Sequence, residues 1–127
     1  MTGIEVARRT KLQKGYSTKG IVRDKAFETE DVLFSRSTIA PGSISDWHHH
    51  GTRHLYGFVV SGRLRFDYSE SKIGSIAVNP GDFFHIPVGL VHRDVNPDKT
   101  DTIVVNILLG DGPPVVNVSE PPGASAV

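Results

Sequence analysis

Turn-forming residues break this chain about every ten residues, the spacing of short strands joined by tight turns. Pro41-Gly42, Gly62, Asn79-Pro80-Gly81, Pro87 with Gly89, and Asn96-Pro97-Asp98 mark the breaks. No stretch between them carries a helical stripe of useful length. The segments alternate instead. Leu33, Ser35, Ser37 and Ile39 interleave with Phe34, Arg36 and Thr38, and Leu64, Phe66 and Tyr68 interleave with Arg63, Arg65 and Asp67. A period of two is the signature of a half-buried strand. Strands are predicted at residues 4–8, 21–23, 32–39, 55–60, 63–68, 73–78, 83–86, 91–95, 102–109 and 115–118. The β-branched run at 102–109 is the predicted central strand. So many short strands imply an all-β sandwich or barrel. At 127 residues the chain reads as one domain. Residues 1–20 and 110–127 are expected as peripheral arms. The tail at 119–127 is expected to be disordered, since four of the eight prolines lie beyond Gly110.

Composition narrows the function. There is no cysteine, which excludes disulfides, thiolate metal sites and thiol nucleophiles. Fourteen Lys and Arg balance fourteen Asp and Glu without a basic run, so nucleic acid and anionic membranes are not expected partners. No apolar stretch reaches a membrane span, and the N-terminus lacks the pattern of a signal peptide. A cytoplasmic location is the expectation. No serine sits in a G-x-S-x-G elbow, and no glycine-rich loop opens a helix.

What remains is histidine. Four of the six lie at His48, His49, His50 and His54. Residues two apart on a strand share a face, so His48 and His50 can reach one ion while His49 points away. Imidazole is the commonest neutral ligand for first-row transition metals. Residues 81–96 hold a second motif, in which Gly81, Pro87, Gly89, His92 and Asn96 match every defined position of G-x5-P-x-G-x2-H-x3-N. With Gly42, His48, His50 and Gly62 on G-x5-H-x-H-x3,4-E-x6-G, the chain resembles a small single-domain cupin. The resemblance implies a jelly-roll β-barrel. It also implies one divalent transition metal ion (Fe, Mn, Ni, Zn or Cu) held by His48, His50 and His92, and a homodimer.

The glutamate of the first motif is missing. Counting back from Gly62, its place falls on Leu55, while counting forward from His50 it falls on His54. A β-bulge near Gly57 would absorb the extra residue and turn His54 inward. The expectation is therefore a four-histidine site of His48, His50, His54 and His92. Among the remaining candidates, His85 reads as a core histidine, Trp47 and Tyr56 as packing, and Arg36, Arg63 and Arg65 as exposed. The segment at 115–118 offers an edge for pairing with a second copy. An all-histidine site keeps the ion's full charge and favours a small, chelating, oxygen-rich ligand. The resemblance implies dioxygenase-like oxidoreductase chemistry. A metal-dependent isomerase or lyase and a non-catalytic ligand-binding module are the alternatives, so the sequence leaves catalysis itself open.

Overall fold

The structure, a computed structural model, describes residues 3–124. Eleven strands follow in chain order: β1 (Gln13–Lys14), β2 (Val22–Glu28), β3 (Val32–Ile39), β4 (His48–His49), β5 (His54–Ser61), β6 (Leu64–Ser69), β7 (Ile73–Val78), β8 (Phe83–Ile86), β9 (His92–Val95), β10 (Thr102–Leu109) and β11 (Val116–Asn117). They form two antiparallel sheets, ordered β1-β2-β3-β10-β5-β8 and β11-β4-β9-β6-β7. This is an all-β jelly roll, and there is no α-helix among the described residues. The alternation that predicted β3 decides its facing: Leu33, Ser35, Ser37 and Ile39 are all buried. Leu55, Val59, Val104 and Leu108 meet Leu64, Phe66 and Val78 of the opposite sheet in one core. Each such side chain contributes about 1.5–3 kcal/mol when fully buried.

Two departures from expectation have physical causes. Residues 4–8 form no strand, since no neighbour pairs with them and Ile4 stays 95% exposed. The strand expected at 21–23 runs on to Glu28, through polar residues that suit a strand near the sheet edge. The tail after β11 makes a turn in which the Ala124 amide donates to the Pro121 carbonyl, with Ala124 buried. The expectation for residues 125–127 lies outside the described residues.

Strand β5 carries a register shift, but not at Gly57. Val104 faces Val59 while Ile103 faces Ser61, so Val60 is the extra residue. Gly57 stays in regular register opposite Phe84, whose ring occupies the space a side chain would need: a Cβ there would lie 2.2 Å from it. Gly62 closes the strand with φ of 76°, and a Cβ would meet the Asp101 carbonyl at 2.6 Å. Both constraints make glycine the residue that fits.

Candidate metal centre

His48 and His92 face each other across the β4–β9 pair. His50 follows β4 at the start of the turn into β5. The Gly89 amide donates to the Gly51 carbonyl at 2.9 Å, which ties the Pro87–Gly89 turn to the loop after His50. The three rings converge inside the barrel at 1%, 3% and 1% exposure for His48, His50 and His92. Each offers one nitrogen, and the three nitrogens lie within 4.8 Å of one another.

The hydrogen bonds settle the tautomers. Nδ1 of His48 lies 2.8 Å from the Asp46 carbonyl, that of His50 2.9 Å from the Pro114 carbonyl, and that of His92 2.9 Å from the Leu90 carbonyl. A carbonyl can only accept, so each Nδ1 donates and each Nε2 keeps its lone pair. Backbone oxygens orienting one ring nitrogen so that the other can bind is the usual support of a metal-ligating histidine. Burial, then the charges of His92 and Arg23, hold the His48 imidazole well below its ordinary range. Burial and His92 lower His50 to about 3. Burial also lowers His92, partly opposed by the Asp94 carboxylate. Neutral imidazoles with free lone pairs are the ligand form.

His54 does not join them. It lies exposed on the outer face of β5, where its Nδ1 is 2.8 Å from His85 Nε2. The inward position is Leu55, 4% exposed, beside His48, His50 and His92 in the cavity wall. The expected fourth histidine is corrected on this point: the bulge at Val60 comes after the residues it would have had to re-aim. His85 is likewise exposed on the outer face rather than in the core. His49 points away and accepts from the Gly51 amide. Trp47 is buried, with the Arg93 guanidinium 4.7 Å from its ring centre, while Tyr56 stacks on His85 outside. Arg36, Arg63 and Arg65 pair with Asp24, Asp98 and Asp67. Asn96, fully buried, donates to the Ile39 and Thr100 carbonyls and holds the turn after β9.

Two inward residues escaped the sequence reading. Arg23, 8% exposed, lines the histidine cavity while its Nη1 donates to Tyr16 O and Thr18 Oγ1. Asp94 lines the same cavity, with Oδ1 3.5 Å from His48 Nε2 and 3.8 Å from His92 Nε2. That oxygen is buried and has no hydrogen-bond partner. The available signal was the spacing: His92-Arg93-Asp94 repeats the alternation of His48-His49-His50. The space between these groups is about 20 Å³, room for one water-sized particle. It adjoins a cleft of about 280 Å³ that shares Phe66, Ile86 and His92 and is rimmed by Tyr68, Glu70 and Leu90.

The fold has counterparts among known proteins. The family pattern described as the cupin domain matches residues 35–108, more than half of the 127 residues. The chain belongs to the cupin family. This cupin is 32% identical over 82 residues to germin-like protein subfamily T member 3 of Arabidopsis thaliana, covering 63% of this chain and 36% of that protein. The chain spans between 36% and 55% of the length of the germin-like proteins it matches. Among solved structures it superposes on an oxalate oxidase with a TM-score of 0.67 and 28% identity, covering 84% of this cupin and 60% of that chain. A double-stranded β-helix protein from Klebsiella pneumoniae has nearly the same size, with 84% and 91% coverage, a TM-score of 0.69 and 19% identity, a likeness of fold.

Proposed function

We propose that this cupin is a metal-dependent oxidoreductase that acts on a small acid able to chelate through two oxygens, oxalate being the first candidate. The observation that carries the reading is the convergence of three buried Nε2 lone pairs whose tautomers are fixed by backbone carbonyls. The 28% identity to an oxalate oxidase supports the substrate class. A bound divalent ion would supply Lewis acidity and a template for the two oxygens. His48, His50 and His92 would hold it. Arg23 places a buried positive charge beside the site, which favours an anionic ligand. Leu55, Phe66, Ile86 and Val104 line the cavity with apolar surface and limit water. The cleft edged by Tyr68 and Glu70 gives the substrate its approach. The proposal includes one cupin domain spanning the chain, acting as a homodimer.

The test is oxygen uptake and carbon dioxide release by protein loaded in turn with Mn, Fe, Ni, Zn and Cu, with oxalate as substrate, glycolate as a binding probe and acetate as control. Turnover of oxalate, inhibited by glycolate and absent with acetate, is expected with at least one metal. Tight binding of oxalate without turnover by any loaded form would instead make the protein a ligand-binding module.

A further inference from the structure

We propose that Asp94 supplies the carboxylate ligand that β5 lacks, completing a three-histidine, one-aspartate site. The inference rests on the metal reading above and adds to it a ligand from a different strand. The inward place on β5 is Leu55, which has no donor atom. Across the cavity, Asp94 Oδ1 sits 3.5 and 3.8 Å from the Nε2 atoms of His48 and His92. Both Nε2 atoms carry lone pairs, because their rings already donate through Nδ1. A carboxylate oxygen that faces two lone pairs has nothing to accept from them, and this one has no other partner. A cation between them resolves the arrangement: every facing atom is then a donor of electrons to one centre.

The distances suit that reading. Ligand atoms each about 2.1 Å from one ion stand about 3.0 Å apart at a right angle and about 3.4 Å apart at the tetrahedral angle. Separations of 3.5 and 3.8 Å therefore let Asp94 share an ion with His48 and His92 at somewhat wider angles. The backbone holds it there. The Asp94 amide donates to Ser45 Oγ and the Ser45 amide donates to the Asp94 carbonyl, both at 2.9 Å. Strand alternation does the rest, since His92 and Asp94 turn inward while Arg93 turns out to Asp67. Coordination by Asp94 lowers the charge of the bound site by one, and leaves Arg23 as the buried positive group free to meet an anionic ligand.

The experiment is Mn(II) binding to the metal-stripped full chain, followed by the electron paramagnetic resonance signal of free Mn(II). Wild type, Asp94→Asn, Asp94→Ala and His92→Ala are compared, with circular dichroism confirming that each is folded. Wild type is expected to bind one ion per chain. Both Asp94 variants are expected to lose at least about tenfold in affinity, and the bound-ion spectrum of Asp94→Asn is expected to change. A crystal grown with Mn(II) is expected to show Asp94 Oδ1 within about 2.3 Å of the ion. Wild-type affinity and an unchanged spectrum in Asp94→Asn, with binding lost in His92→Ala, would overturn the role of Asp94 and leave the histidine site standing. No binding by wild type would overturn both.

Discussion

At His50, burial and the neighbouring His92 hold the imidazole pKa at about 3, against about 6.5 for an exposed histidine. Between those two values the unfolded chain takes up a proton that the folded, metal-free chain refuses. Stability therefore rises with pH across that window. The contribution of neutral His50 is complete above about pH 6.5 and is lost progressively as the pH falls toward 3. His48 and His92, shifted the same way, steepen the slope. Urea unfolding of metal-free protein between pH 7 and 4 is expected to show falling stability, with a shallower fall in His50→Gln. A flat profile would contradict the buried neutral cluster. The same residues mark what the sequence made legible. His48, His50 and His92 were readable because strand alternation and motif spacing agree on them. His54 was misplaced because nothing in the sequence says that the extra residue is Val60 rather than one nearer Gly57. Asp94 and Arg23 sit in strands of mixed polar residues, where charge alone does not tell the inner face from the outer.

Among elements, β3, β7, β8 and β10 begin and end where the alternation and turn residues put them. Strand β1, of two residues, exists only through its partner and leaves little local trace, whereas the two-residue β11 lies inside the segment 115–118 expected as a strand. Yet β11 matters to the site. It pairs Asn117 with His48 and Val116 with His49, and the carbonyl of Pro114 just before it orients His50. Asn117 also accepts from Thr18, which in turn accepts from Arg23. The arm that composition marks as peripheral thus buttresses two histidines and the buried arginine. Truncation after Gly110 removes none of the proposed metal ligands. It is nonetheless expected to weaken metal binding about 10- to 100-fold, the usual cost of losing groups that orient a ligand. Isothermal titration with Mn(II) or Zn(II) measures this, and unchanged affinity in a folded truncation would show that His50 needs no support from the arm.

For the whole molecule, the outer face of the larger sheet carries an apolar patch where solvent would be expected. Phe34, Tyr56, Phe58 and Phe83 lie together there, with Phe83 81% exposed. A contiguous exposed aromatic patch marks an interaction surface, and a second copy of the chain is the proposed occupant. The segment at 115–118 that suggested pairing from sequence is engaged on one side by β4 of its own chain. Light scattering is expected to give the dimer mass for wild type and the monomer mass for Phe83→Glu. Monomer mass for wild type at every concentration would contradict the pairing. The bound ion, however, decides the function. Elemental analysis of purified wild type and His92→Ala, after incubation with each candidate metal and removal of excess, tests it most directly. One ion per chain in wild type and a near-complete loss in His92→Ala is the predicted result. Full stoichiometry in His92→Ala would contradict it.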